Sequence, residues 1–339
     1  MARRDDDDTG RRNLPVLRLV VQSGFLVFCL WMGYRFFLFY QWAVGASDRF
    51  VPRPPSVEGF LPISGLLGLK KLMLTGRWDS IHPAGLTILL TAIVIGLVWR
   101  KGFCGWICPV GAVSNLAERA GRRMGILLSP PRWLDLPLLA GKYLLLAFFL
   151  YVIFWKMDLG QVIGFMRTPY NIAADAKMLH FFLQPSTLAA TILAVLVVVS
   201  FVIRNFWCRY LCPYGALLGL LALVGPVAVR RDEEACIHCS KCDRVCPTAV
   251  RVSTKEVVRS AECIGCLECV AACPRRDCLT VTAPTRRRLP WWGLPVAVLA
   301  TFFAAYLVAV ATGHWQTSVP LDTFKAVYRA SSGLSHPSF

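Results

Sequence analysis

Acidic residues are scarce in this 339-residue chain: 20 Asp and Glu stand against 37 Lys and Arg, and charged residues of both signs make up only 17%. Such a low charge density excludes a disordered, self-solvating chain. Histidine is rarer still, with five in all, and no apolar run contains two of them, which argues against a haem ligated by a histidine pair within one helix. Cysteine is not scarce, yet 13 of the 14 fall in the basic segments and Cys29 lies in the first apolar run. The segments on the other side of the apolar runs hold none, which excludes a disulfide framework of the kind used in oxidising compartments. What the chain has instead is apolar residues, 56% of the total, with a mean hydropathy of +0.53. That composition belongs to membrane proteins.

Five runs have the character of membrane-crossing helices, for which about 20 residues are needed: 17–40, 84–98, 138–155, 187–203 and 291–311. The second and fourth are short and need flanking residues. Of the 37 Lys and Arg, 25 fall in segments 1–18, 100–137 and 204–290, against 9 in 41–80, 157–186 and 313–339. The positive-inside rule then puts the N-terminus inside and the C-terminus outside. A basic inner face meeting anionic lipid accounts for the net charge of +17 without any nucleic acid. Arg286, Arg287 and Arg288 fit the same account. Arg3, Arg4, Arg11 and Arg12, interleaved with Asp5–Asp8, read as a solvated tail. The apolar run after Arg11 and Arg12 is too long for a signal-peptide core, so an uncleaved first span is expected.

Two cysteine runs carry the chemistry. Cys236, Cys239, Cys242 and Cys246 precede Pro247, and Cys263, Cys266, Cys269 and Cys273 precede Pro274. Both read C-x2-C-x2-C-x3-C-P, the spacing of bacterial two-cluster ferredoxins, in which the fourth cysteine of each run ligates the other cluster. One [4Fe-4S] cluster is then assigned to Cys236, Cys239, Cys242 and Cys273, and a second to Cys263, Cys266, Cys269 and Cys246. Structural zinc sites pair C-x2-C units differently. Cys278 is not required by either cluster and reads as a free buried thiol.

A second motif is duplicated at an offset of 104 residues. Cys104, Cys108, Pro109, Gly111 and Ala112 align with Cys208, Cys212, Pro213, Gly215 and Ala216. Each C-x3-C-P follows an even-numbered span, so spans one and two repeat as spans three and four. Proline disfavours helical geometry at the cysteine before it and opens the next helix. The four thiols suit a soft metal, a third cluster or dithiol–disulfide cycling. The bland alternative is that they are small buried apolar residues.

Two C-x3-C-P motifs at membrane helix ends, followed by the double ferredoxin run, resemble the NapH/NosR/CcoG polyferredoxin group. The resemblance covers about residues 14–280 and rests on 12 cysteines in matching order. It implies a membrane iron–sulfur protein that supplies electrons to periplasmic reductases or handles metal during oxidase assembly. Segment 41–80 is too short for the flavin-binding domain of NosR-type proteins. The 313–339 tail replaces the immunoglobulin-like domain of CcoG-type proteins. The NapH-type core is the closest match.

The expected architecture is a mostly α membrane protein of five transmembrane helices, with an inserted α+β two-cluster ferredoxin-like domain. Its parts are a cytoplasmic tail (1–16), a four-helix membrane domain (17–229), the ferredoxin-like domain (230–285), a fifth helix (286–312) and a periplasmic tail (313–339). The expected location is a bacterial inner membrane, with the clusters on the cytoplasmic side. Clusters inside and an acceptor outside need a lipid-soluble carrier across about 30 Å, so the quinone pool is an expected partner. A partner reductase outside or an electron donor inside is another. His82 with Asp79, near the outer face, are candidates for proton exchange with a quinol. Segment 60–74 is expected to lie along the outer surface as an amphipathic helix. The alternatives to electron relay are copper handling or maturation through the C-x3-C-P thiols, and redox sensing.

Overall fold

The computed structural model describes residues 10–128, 130–283 and 287–334. The Asp5–Asp8 run, Arg3, Arg4, Arg286 and the last five residues of the 313–339 tail lie outside them. The chain divides into two compact units. One comprises Met1–Leu26, Ala92–Leu146 and Val195–Phe303, the other Val27–Thr91, Ala147–Ala194 and Ala304–Phe339.

Helix dominates, as unbroken Leu, Val, Ile, Ala and Phe runs dictate. Three helices are long and apolar enough to cross a membrane, Leu14–Val44, Trp133–Lys156 and Gly293–Ala311. A fourth crossing is available if Ala174–Leu183 and Thr187–Val202, bent by 77° at their junction, act together. Pro83–Val98 has 16 residues, about 24 Å at 1.5 Å per residue, short of a hydrocarbon core of about 30 Å. Three or four candidate spans thus stand where five were expected.

In the first unit, both C-x3-C-P motifs fold alike. A widened helical turn, Phe103–Ile107 or Trp207–Leu211, runs into an extended cysteine. Cys108 has φ −61° and ψ 120°, and Cys212 has φ −75° and ψ 106°. Pro109 and Pro213 then open the helices Pro109–Arg123 and Pro213–Val224. The helix break expected from the proline is present in both copies. Beyond it, strands β1 (Ala228–Arg231), β2 (Leu279–Thr282) and β3 (Arg288–Leu289) form an antiparallel sheet in that order. The β1–β2 register pairs Ala228 with Thr282 and Arg231 with Leu279, which joins the segment before the first cysteine run to the segment after the second.

The second unit has an aromatic core of Phe36, Phe39, Phe324 and Tyr328 around Ala43, Val57, Ala173 and Ala176. The 313–339 segment is therefore more than a tail. Its helix Leu321–Arg329 buries Phe324 and Tyr328, four residues apart on one face. Segment 60–74 also departs from expectation. It forms the helix Pro62–Thr75, closed by Gly76 in the left-handed conformation at φ 66°, with Lys70 buried. Lys70 Nζ donates to the carbonyls of Ile153 at 2.9 Å and Phe154 at 3.3 Å, and also to that of Met157. Carbonyls at a helix C-terminus have no intrahelical partner, and the ammonium satisfies three of them.

Candidate iron–sulfur site

The two ferredoxin runs share a local geometry, repeated at 27 residues. His238 and Ser240 take positive φ values of 52° and 53°, and their counterparts Gly265 and Leu267 take 62° and 61°. These left-handed residues curl each loop around its first cysteines, and successive amides in such turns form anion-binding concavities. Short helices Lys241–Val245 and Glu268–Ala272 follow. Cys246 and Cys273 then leave them in extended conformation, at ψ 116° and 122°, ahead of proline.

The first expected ligand set is brought together. Cys236, Cys239, Cys242 and Cys273 border one cavity with about 370 Å³ of empty space, counted out to its open mouth, and Cys278 and Arg231 border it too. The Arg231 side chain is buried, and its Nη1 meets no acceptor. Cys236 is held below the ordinary thiol range by the backbone N–H of His238, with Arg231 contributing. A sulfur-lined space with an orphaned guanidinium N–H fits an anionic iron–sulfur cluster. Cys278, read as a free buried thiol, is free and buried, and it borders this cavity as well.

The second set also converges. Burial pushes the Cys269 thiol well up, and Cys266, Cys263 and Cys246 push it further. Burial likewise raises Cys266, against the pull of Arg18. Arg18 is fully buried, pairing with Glu268 at 2.5 Å while its Nε donates to the Gly105 carbonyl. The donor set, four sulfurs with a cation beside them, fits the same kind of group. Among the described residues no three Cys, His, Asp or Glu side chains close on a single ion.

The four C-x3-C-P cysteines form a third gathering. Burial raises the Cys104 thiol well above its ordinary range, with Cys108, Cys212 and Cys208 adding to the rise and Lys101 opposing it. Cys208 is pushed up to about 12 by burial and by Cys212 and Cys108, while Lys101 and Ser114 pull it down. Lys101 is itself buried. Four sulfurs beside a buried ammonium suit a site whose loaded form is anionic.

Residues of the C-x3-C-P motifs grip the ferredoxin loops. Trp106 Nε1 donates to the Gly265 carbonyl at 3.1 Å. Gly105 lies so close to Ile264 that a Cβ would collide with the Ile264 carbonyl oxygen. Asn205 Nδ2 donates to the Pro247 carbonyl at 2.9 Å, Arg204 Nη1 to that of Cys246 at 3.4 Å, and Arg209 Nη1 to that of Thr248. Arg209 is anchored in turn by Asp135 at 2.7 Å. Arg100 Nη2 donates to the Ser260 carbonyl at 2.9 Å, and Lys142 pairs with Glu262. Each grip falls at Cys246 or near the start of the second run, so the second ligand set is the one seated on the motifs. Arg11, read as part of a solvated tail, is buried and donates to the Cys273 carbonyl at 3.1 Å.

A "4Fe-4S binding domain" family matches residues 81–126 and again 186–231, and a "4Fe-4S dicluster domain" family matches 228–274. The putative electron transport protein YccM of Escherichia coli K12 is 37% identical over 96% of this chain and 91% of its own length. The chain belongs to the NapH/NosR-like family of ferredoxin-type membrane proteins. Within that family, the ferredoxin-type protein NapH of E. coli K12 is 28% identical over 58% of this chain and 68% of its own. The methylamine utilization ferredoxin-type protein MauN of Methylorubrum extorquens is 31% identical over 56% and 62%. No solved structure matches the chain. Like its relatives, the chain is an iron–sulfur protein of electron transport. The repeat of the first family model falls on the two C-x3-C-P hairpins, in agreement with the duplication in the sequence.

In the second unit, His82 and Asp79 are both buried, but Asp79 is not the partner of the His82 ring. Its carboxylate accepts from the backbone N–H groups of Ile81 and His82 at 2.9 and 3.2 Å. The ring places Nε2 2.9 Å from the Asn171 carbonyl and Nδ1 3.6 Å from Glu58 Oε1. Arg53 links Glu58, at 2.7 Å, to Asp175, at 2.6 Å, and the Tyr328 hydroxyl donates to Asp175 at 2.7 Å. No spacing in the sequence marks Arg53, Glu58, Asp175 or Tyr328 as a group.

With Nε2 donating to a carbonyl, a neutral His82 would aim a lone pair at a carboxylate. Burial disfavours its charge, but Glu58 wins and raises its proton affinity overall. A raised folded-state value contributes stability that is fully present below the unfolded value, about 6.5, and is lost as pH rises through the folded value. Denaturant unfolding in detergent is therefore expected to show the parent losing more stability than a His82→Gln variant as pH rises above about 6.5. Parallel losses in the two proteins would remove the assigned proton.

Proposed function

We propose that this chain is a membrane-bound relay carrying electrons between the quinone pool or a cytoplasmic donor and a partner reductase, through two [4Fe-4S] clusters. The clusters are assigned to Cys236, Cys239, Cys242 and Cys273, and to Cys263, Cys266, Cys269 and Cys246. Bound there, they supply one-electron carriers. The observation that carries the reading is the grip of Trp106, Asn205 and Arg204 on Gly265, Pro247 and Cys246, which supports a second ligand set held close to the C-x3-C-P motifs. A ferredoxin acting alone has no use for such a seat. The four seat cysteines are proposed to hold a third cluster, in keeping with the family model on both hairpins.

The topology we propose keeps five crossings in a bacterial inner membrane, with the short Pro83–Val98 helix extended by flanking residues and the bent pair counted as one crossing. The N-terminus and cysteine runs are then cytoplasmic and the 313–339 segment periplasmic. Basic residues concentrated in the cysteine-bearing segments support that orientation. Proton exchange with quinol is assigned to His82, with Glu58 sharing its proton more directly than Asp79.

A second reading, copper handling, is favoured by the all-sulfur donor set of the C-x3-C-P cysteines, which suits a soft metal. One experiment separates the two. Protein in liposomes is given a reduced short-chain quinol, and reduction of its iron–sulfur centres is followed by electron paramagnetic resonance. Iron and copper are counted in the parent and in a chain with Cys104, Cys108, Cys208 and Cys212 replaced by alanine. The relay predicts quinol-driven reduction in the parent and loss of about four iron per chain in the variant. Failure of a reduced-cluster signal to appear after quinol would sink the quinol route. Copper in the parent that is lost from the variant, with iron unchanged, would establish metal handling.

A further inference from the structure

Five cysteines, one more than a [4Fe-4S] cluster takes, border the cavity assigned to the first cluster: Cys236, Cys239, Cys242, Cys273 and Cys278. The extra one is not adventitious in position. Cys278 directly precedes β2, where its carbonyl accepts from Asp232 N–H at 2.7 Å and continues the β1–β2 ladder. Its thiol lies 3.6 Å from the Asp232 carbonyl oxygen, to which it donates. The residue is buried, with Cys236 and Cys273 as its sulfur neighbours. On the same wall Arg231 Nη1 is a buried donor without an acceptor, an independent mark of an anionic occupant.

The two candidates for the fourth position differ in how they are held. Cys273 ends the short helix Glu268–Ala272 in an extended conformation, whereas Cys278 is fixed by the sheet. A turn of four residues separates them.

We propose that Cys278 is a reserve ligand of the first cluster, able to take the place of Cys273. This rests on the two-cluster reading above. The exchange is redox-neutral. One iron–sulfur bond forms to Cys278 as the bond to Cys273 breaks, and the proton of the Cys278 thiol passes to the sulfur that leaves. Until then the Asp232 carbonyl, 3.6 Å away, accepts from the reserve thiol. Such a ligand lets the cluster outlast damage to Cys273, the one member of its set that comes from the distant run.

The test uses the full chain, purified in detergent under anaerobic conditions, with iron and acid-labile sulfide counted per chain. Cys273→Ala is expected to keep the parental iron count and to shift the signal of the first cluster in electron paramagnetic resonance. Cys273→Ala with Cys278→Ala is expected to lose about four iron. Loss of those iron atoms in the single Cys273→Ala variant would overturn the proposal. Cys239→Ala, for which the cavity offers no substitute, serves as the control. If it keeps every iron atom, the ligand assignment itself is wrong. Because Cys273→Ala is exposed to misfolding, a second measurement uses Cys278→Ala alone. Iron release to a chelator after peroxide is expected to be several-fold faster than in the parent, and an unchanged rate would count against the reserve.

Discussion

Replacing Asp175 with alanine is expected to cost about 3–5 kcal/mol of folding stability, the range for removing one partner of a buried ion pair. Arg53 reaches Asp175 Oδ2 through Nε at 2.9 Å and Nη2 at 2.6 Å, a grip on the carboxylate by two donors of the fork. Its third donor holds Glu58. Both carboxylates are inaccessible, so without Asp175 two of these three guanidinium donors and the Tyr328 hydroxyl lose their acceptor in a dry interior. Burial by itself disfavours the Arg53 charge, and Asp175 and then Glu58 hold it in place. The aromatic core has a stake as well, since Arg53 lies 5.1 Å from the centroid of the Phe324 ring. Denaturant unfolding of the variant in detergent micelles reads the effect directly. A change below about 1 kcal/mol, the scale of an exposed pair, would show that water reaches this centre.

Cys246→Ala should remove about four iron per chain while leaving the first cluster in place, although Cys246 belongs to the first run. The proposed crossing-over of fourth ligands is supported by the placement of the sulfurs. Cys273 borders the cavity of Cys236, Cys239 and Cys242, and Cys246 is a neighbour of Cys263, Cys266 and Cys269. Cys246 accepts the backbone N–H of Val250 at 3.3 Å through its sulfur, and its carbonyl is held by Arg204. The Arg204 contact to the backbone survives loss of the thiol, whereas the Val250 contact does not, so the variant acts at the cluster and at one loop amide. Iron counting with electron paramagnetic resonance distinguishes the outcomes. If the signal lost is that of the cavity containing Cys236, the ligand sets are not interleaved.

The cysteine chemistry was legible because it is local. Spacing of three or four residues placed each sulfur, and the prolines at 109 and 213 announced the helix breaks that the structure contains. The Arg53 centre was not legible. Its members come from positions 53, 58, 82, 171, 175 and 328, and no periodicity links residues so far apart. The burial of Lys70 was not legible either: no spacing in segment 60–74 announces the orphaned carbonyls of Ile153 and Phe154 that it satisfies. Cys278 was set aside because four ligands per cluster were already supplied in sequence, while the sheet that carries it into the cavity forms between segments about 50 residues apart. The short Pro83–Val98 helix shows a limit of counting apolar residues, since hydropathy marks a run more readily than it marks its ends.

The grip on the ferredoxin loops has a consequence for how the protein is made. Arg100, Trp106, Arg204, Asn205 and Arg209 all precede the carbonyls that they hold, at Cys246, Pro247, Thr248, Ser260 and Gly265. A chain leaving the ribosome at 5–20 residues per second therefore completes the seat before the segment that sits on it has been synthesised. The cysteine loops emerge onto a surface that already presents its donors, while β2, which pairs with β1 behind them, arrives only after both runs.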